Sequence, residues 1–129
     1  MFAAITSSAP ASCTNFTTLA TCGTIVVEAP VAGVVLVTAN ATGITFGANT
    51  VIQYGVSASS GTLGTNVQVG LLDGTDTVRR EYALTAIEVF GVSAGTHTFY
   101  AQATKPGVFS ARQANIFDQK MTALFVPNP

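Results

Sequence analysis

Apolar residues, many of them β-branched, are interspersed with Thr, Ser, Asn and Gln along this chain, and Gly or Pro breaks the pattern at intervals of about ten residues. A period of two is the spacing of side chains on one face of a β-strand. The pattern predicts eight strands. Phe2–Ser7 forms a short edge strand. Leu19–Glu28 ends at Ala29-Pro30, and Val34–Thr45 begins after a turn at Gly33. Val51–Ser57 runs into Ser59-Ser60-Gly61, read as a mobile loop. Asn66–Leu72 ends at Asp73-Gly74, a strong turn signal. Arg80–Val92 and Thr96–Thr104 flank a tight Ser93-Ala94-Gly95 connection, read as a hairpin. Thr104-Lys105-Pro106-Gly107 suits a type II turn, in which Pro fixes φ at the second position and Gly supplies positive φ at the third. Gln113–Val126 is the last strand, closed by Pro127. Residues 8–18 are rich in Ser, Thr and Ala and read as a loop, so 1–18 make up an N-terminal arm.

One segment reads two ways. Arg79-Arg80-Glu81-Tyr82-Ala83-Leu84-Thr85-Ala86-Ile87 contains good helix formers, and Val78, Tyr82, Ala86 and Val89 share a helical face. The strand reading is preferred, because Val89-Phe90-Gly91-Val92 runs straight on into the next connection. It requires a slip in the alternation near Ala86-Ile87, which a β-bulge would supply.

The faces carry the next inference. Val34, Leu36, Thr38 and Asn40 lie on one side of their strand; Val35, Val37, Ala39 and Ala41 lie on the other. Neither side is a water face. A strand of an antiparallel sheet that is apolar on both sides needs cover on both. One cover is the facing sheet, and the other is a neighbouring subunit, with Val34, Val35, Leu36, Val37 and Ala39 as candidate contacts. Thr96–Ala103 alternates more cleanly, with His97, Phe99, Ala101 and Ala103 on one side. The fold class is all-β: an antiparallel sandwich of about eight strands, with residues 1–129 as a single domain.

Composition sharpens this picture. Val, Ile and Thr, the β-branched types that favour strands, make up 40 of 129 residues. At 13.2 kDa a folded chain can bury roughly two-thirds of its surface, enough for one core. Mean hydropathy is +0.48, yet no uncharged apolar run reaches the ~20 residues of a membrane helix. Only 9% of residues are charged, against about 25% in ordinary soluble domains. Glu28 is the one charged residue before Asp73; the other ten lie between Asp73 and Lys120. Much of the first half is therefore core or meets another copy. A net charge of −1 and five Lys and Arg leave no basic stripe, which excludes nucleic acid as the expected partner.

Candidate chemistry is sparse. Cys13 and Cys22, the only cysteines, read as a disulfide stapling the first loop to the start of a strand, or else as two small buried thiols. Their spacing is not that of a metal or redox motif. His97, the only histidine, is read as a packed and hydrogen-bonded side chain, or one at a symmetric interface, rather than a catalytic base. Asp73-Gly74-Thr75-Asp76 offers too few oxygens to hold Ca²⁺ alone and reads as a turn. Arg79-Arg80-Glu81 reads as a solvated strand end, and Glu28 as a strand end beside Pro30. Asn15-Phe16-Thr17 and Asn40-Ala41-Thr42 match the glycosylation triplet, which arises often by chance. No phosphate loop, nucleophile elbow or metal spacing is present, so neither cofactor nor metal is expected, and the chain is not expected to be an enzyme. The start, Met-Phe-Ala-Ala-Ile-Thr-Ser-Ser, lacks the basic and apolar regions of a signal peptide. The expected location is extracellular or on a virion.

Three stretches together resemble a known group. They are Ala29-Pro30-Val31-Ala32-Gly33-Val34-Val35-Leu36-Val37-Thr38-Ala39, then Val92-Ser93-Ala94-Gly95-Thr96-His97-Thr98-Phe99-Tyr100-Ala101-Gln102, and the closing Met121-Thr122-Ala123-Leu124-Phe125-Val126. They are similar to the jelly-roll head domains of the tumour-necrosis-factor/C1q-like group, which has relatives in bacterial surface proteins and phage fibre or decoration proteins. The resemblance implies a jelly roll and a compact trimer packed through one sheet of each subunit. The expected function is then a non-enzymatic, self-associating structural or attachment protein, with a protein or glycan receptor as partner. Two alternatives stay open. One is a carbohydrate-binding module, for which Tyr54, Tyr82 and Tyr100 are the available amphipathic rings. The other is a filament subunit that donates Phe2–Ser7 to a neighbour's sheet.

Overall fold

The computed structural model describes residues 3–8, 11–13, 19–45, 51–64, 68–71, 80–104 and 114–129. Nine strands lie within them: β1 (Ala4–Ser7), β2 (Ala11–Cys13), β3 (Ala20–Ala29), β4 (Gly33–Thr45), β5 (Val51–Ser57), β6 (Gln68–Leu71), β7 (Arg80–Val92), β8 (Gly95–Thr104) and β9 (Ala114–Pro127). β1 and β2 pair in turn with β9 along one edge, so they fill one strand position and the sandwich has eight. Both sheets are antiparallel. One has the order β1-β9-β4-β7, with β2 also on β9, and the other has the order β3-β8-β5-β6.

The pairings are nested. The arm pairs with β9, β3 with β8, β4 with β7 and β5 with β6. The chain is thus one long hairpin rolled into two layers, which is the jelly-roll topology. Each sheet draws strands from both halves of the sequence. The uncharged β4 therefore sits between β7 and β9.

Side chains from the two inner faces make the core. β4 and β9 contribute Val35, Val37, Ala39, Ile116, Met121, Ala123 and Phe125; the other sheet contributes Ile25, Val27, Ile52, Tyr54, Val56, Phe99, Ala101 and Ala103. Phe90 meets Phe99 across the layers with ring centroids 4.6 Å apart. That separation suits an aromatic pair bridging two packed sheets.

Two bulges set which residues face in. In β9, Asn40 pairs with Lys120 but Thr42 pairs with Phe117, so β9 carries an extra residue there. Asp118 takes a left-handed φ of 53° at this point, a conformation that a short polar side chain tolerates. The extra residue keeps both Ile116 and Met121 in the core, and it also turns Gln119 inward, where it is fully buried. The Gln119 amide donates to the Cys22 carbonyl (3.1 Å) and accepts from the Lys120 amide (3.3 Å). In β3 the pairing slips between Thr21 and Gly23, which turns Cys22 inward.

Several expectations need correcting. β7 is a strand, but its pairing with β4 is unbroken from Gly33↔Val92 to Thr45↔Arg80. A slip near Ala86-Ile87 is unnecessary because Ile87 and Val89 face outward, leaving Leu84 and Ala86 in the core. The Ser93-Ala94-Gly95 connection is not a hairpin: β7 and β8 belong to different sheets. It is a corner between layers, made by Gly95 at a φ of 133° and tied by His97, whose Nε2 donates to the Ser93 carbonyl (2.8 Å). Part of the stretch read as a loop, Ala11–Cys13, is strand β2. Ser59-Ser60-Gly61 is pinned: the Ser59 amide donates to Ser57 Oγ (3.0 Å), and Gln102 Nε2 donates to the Ser60 carbonyl (2.7 Å). The turns at Asp73-Gly74 and Lys105-Pro106-Gly107 lie outside the described residues.

Candidate assembly surface

Antiparallel partners stand on the same side of a sheet, so the register of the larger sheet fixes what its outer face displays. One transverse row reads Ile5, Leu124, Leu36, Val89 across β1, β9, β4 and β7. The row beside it, toward Gly33, holds Val126, Val34 and Gly91. The next row the other way holds Ser7, Thr122, Thr38 and Ile87, and beyond it stand Lys120, Asn40 and Thr85. Thr85 Oγ1 donates to Asn40 Oδ1 (3.0 Å). The apolar members are not covered: Ile5 is 71% exposed, Val89 61%, Ile87 50%, Val126 40% and Val34 38%. Single exposed apolar residues are ordinary; a contiguous group of them marks an interaction site.

The five candidate contacts divide by strand alternation. Val34 and Leu36 stand on this outer face. Val35, Val37 and Ala39 point the opposite way and are fully buried between the sheets, so they are core and not contact. Ile5, Ile87, Val89, Leu124 and Val126 were not among the expected contacts. Unbroken alternation along residues 80–92 is the signal that places Ile87 and Val89 outside.

At its far end the same face becomes polar. Thr42, Ile44, Glu81, Phe117 and Asp118 line a shallow depression there. Among the described residues no three His, Cys, Asp or Glu side chains are grouped to hold a metal ion, and no helix is long and apolar enough to cross a membrane.

The remaining candidates have structural settings. Cys13 and Cys22 are joined as a disulfide, Cα–Cα 5.1 Å, that ties β2 of one sheet to β3 of the other. Glu28 accepts hydrogen bonds from Thr96 Oγ1 (2.8 and 2.9 Å) at its strand end. Glu81 is exposed, whereas Asp73-Gly74-Thr75-Asp76, Arg79 and Asn15 lie outside the described residues. Asn40 is exposed on the outer face. Tyr54 is fully buried, and burial pushes its phenol above the ordinary range, with Gln119 offsetting part of the shift. It is therefore no platform for a sugar ring. Tyr100 is half-buried on the outer face of the smaller sheet, and the Tyr82 side chain is outside the described set.

No family model and no curated protein matches the chain. Among solved structures it is similar to Eiger TNF from S. frugiperda: 8% identity over 81% of this chain and 66% of that one, TM-score 0.47. It is also similar to infectious bursal disease virus Gx strain, at 12% identity over 98% of this chain and 30% of that one, TM-score 0.47. A third is the K3 cleaved adhesin domain of Lys-gingipain from Porphyromonas gingivalis, at 11% identity over 86% of this chain and 72% of that one, TM-score 0.34. The chain thus spans under two-thirds of the first two. All three TM-scores fall below one half, too distant a likeness to carry function.

Proposed function

We propose that this chain is a non-enzymatic structural or attachment protein of a virion or cell exterior, which assembles with copies of itself through the outer face of the β1-β9-β4-β7 sheet. The observation that supports this is the contiguous apolar patch from Ile5 to Val89, left exposed on a chain with few charges. At strand spacings of about 4.8 Å and a rise of about 3.4 Å per residue, four strands as long as β4 present a face of about 800 Å². That is the area each partner contributes to a standard interface. The apolar rows fill about a third of it, and Thr, Asn and Ser supply much of the polar remainder.

Three copies is the number that the sequence resemblance implies, with each copy turning this face toward a shared axis. The disulfide supports an oxidising final location. His97 has its Nε2 committed to a backbone carbonyl, which fits a structural part for it. Strand donation is less favoured, because β1 already completes the edge of its own sheet. The sugar-binding alternative loses Tyr54 to the core.

The test is light scattering after size exclusion at micromolar concentration, repeated on dilution. A sharp trimer is expected. A chain that stays monomeric above about 100 μM refutes the reading, and large heterogeneous species favour strand donation.

A further inference from the structure

We infer that the Cys13–Cys22 disulfide is a clasp that holds the N-terminal arm in the assembly surface, and that a thiol reductant opens it. The arm contributes Ile5, the most exposed member of the apolar row. Yet its own attachment is slight. β1 has four residues, none of them buried, and among the described residues it pairs on one side only, through Ala4↔Phe125 to Ser7↔Thr122. Ser8 adds two bonds: its amide donates to the Met121 carbonyl (2.9 Å), and its Oγ accepts from the Met121 amide (2.8 Å). β2 has three residues and two ladder partners, Gln119 and Ile116. The net gain from a ladder hydrogen bond is no larger than the backbone entropy of fixing the residue that makes it. An arm whose described side chains are almost all unburied therefore hangs in the balance. The covalent tie to β3, across the open edge of the sandwich, decides it.

Opening the clasp is ordinary exchange chemistry. A thiolate of a small-thiol reductant attacks one cysteine sulfur and the other leaves as thiolate. A second reductant thiol then resolves the mixed disulfide. Two protein thiols and one oxidised reductant result. Cys13 is half-buried while Cys22 is 3% exposed, so attack falls on the Cys13 sulfur. The freed arm takes Ile5 out of its row and bares the edge of β9. Assembly then depends on the redox state of the surroundings, a link that rests on the assembly surface proposed above.

The test is backbone hydrogen exchange of the full chain with and without dithiothreitol, and of Cys13→Ser, with sedimentation velocity on the same samples. Reduction is expected to speed exchange in β1 by up to about 100-fold, the factor that closing a loop of nine-residue separation gives on the chain-entropy model. Exchange in central β4 should not change, and association should weaken. Unchanged β1 exchange overturns the clasp. Loss of protection in β4 also overturns it, because the bond then holds the whole fold rather than the arm. Faster β1 exchange with undiminished association overturns the link to assembly. Ile5→Glu in the oxidised chain tests that link with the bond intact and should weaken association at least tenfold. An oxidised wild type that is monomeric refutes the assembly reading itself, and β1 exchange then decides the clasp alone.

Discussion

Val89→Glu tests the assembly surface at its most informative position. Val89 stands on β7, paired with Leu36, and is 61% exposed in the single chain. Full burial of a valine is worth about 1.5–3 kcal/mol, so about 1–2 kcal/mol per copy is still available to an interface. The same reasoning over Ile5, Val34, Ile87, Val89 and Val126 gives about 4–8 kcal/mol per copy. That is comparable to the lower part of the cost of bringing partners together. The balance is fine, and one residue should tip it.

Glutamate forfeits the Val89 share and places a carboxylate against apolar neighbours. A loss of about 2 kcal/mol in each of three copies weakens the trimer by about 6 kcal/mol, roughly 10⁴ in its dissociation constant. Because a trimer's midpoint concentration varies as the square root of that constant, the midpoint should rise about 100-fold. Sedimentation velocity across a dilution series reads this directly. Stability of the single chain, measured by urea unfolding where both forms are monomeric, should change by less than about 1 kcal/mol, since Val89 is mostly exposed on the outer face. Thr24→Glu, the same kind of change at an exposed position of the smaller sheet, should leave association alone. A Val89→Glu midpoint within threefold of wild type would refute the reasoning. So would an equal effect from Thr24→Glu, which would make the response one of net charge.

Other positions test the fold. The buried Tyr54 hydroxyl makes no well-formed hydrogen bond, with only Gln119 near it, so Tyr54→Phe should be neutral within about 1 kcal/mol or stabilising in urea unfolding; a loss above about 2 kcal/mol would show a paired hydroxyl. Burial raises the Tyr54 pKa from 10.0, so the folded form keeps a proton that the unfolded form gives up. Stability is therefore intact below pH 10 and falls above it, by up to about 1.4 kcal/mol per pH unit, and Tyr54→Phe should remove that slope. Gly33→Ala brings a Cβ against the Val126 carbonyl oxygen, 2.8 Å from the Phe125 ring and 3.0 Å from Pro127 Cα, and should cost about 1–3 kcal/mol. Gly91→Ala meets nothing within 4 Å and should be neutral; equal costs at the two sites would refute the packing argument. Asp118→Val forces a β-branched residue into a left-handed φ of 53° and should lower stability by about 1–2 kcal/mol, while Asp118→Gly should not.

The strands were legible because their signal is local. Val51–Ser57 and Arg80–Val92 match β5 and β7 at both ends, and the breaks between strands are Gly and Pro, whose effect on the backbone needs no tertiary context. What was hidden depends on partners. β2 is three residues, Ala-Ser-Cys, with no β-branched side chain. It is strand because β9 offers it an edge. The alternation predicts a bulge in β7 near Ala86-Ile87, yet β7 pairs with β4 without a break and the bulge sits at Asp118 in β9. Val35, Val37 and Ala39 could not be told from Val34 and Leu36 by composition, since both faces of β4 are apolar. Only register separates the core face from the exposed one. The disulfide could be paired by count, but not placed across the two sheets.

The charge asymmetry of the sequence does not survive folding as a division between halves, and what replaces it is more useful. Nesting places β4, which carries no charge, between β7 and β9, which do. The described charges of those neighbours are not spread evenly. Lys120, Asp118 and Glu81 gather toward the Asn40–Thr45 end of the outer face, and Glu88 lies on the inner side of β7, paired with Val37. Among the described residues, the Gly33–Thr38 end receives Ile5, Leu124, Val126, Val34, Leu36, Val89, Ile87 and hydroxyl side chains. A face built this way is polarised along its strands. Copies that share it about an axis parallel to the strands bury the apolar end with no unpaired charge. The charges of the other end, Lys120 with Asp118 and Glu81, stay in water, where a pair 4 Å apart interacts by only about 1 kcal/mol and by less with distance. The opposite arrangement, with strands of neighbours running head to tail, would lay Lys120 and Glu81 against Leu124 and Val89 and take both charges out of water. For the assembly proposed above, the order of rows on one sheet favours a parallel arrangement, in which every copy points the same way.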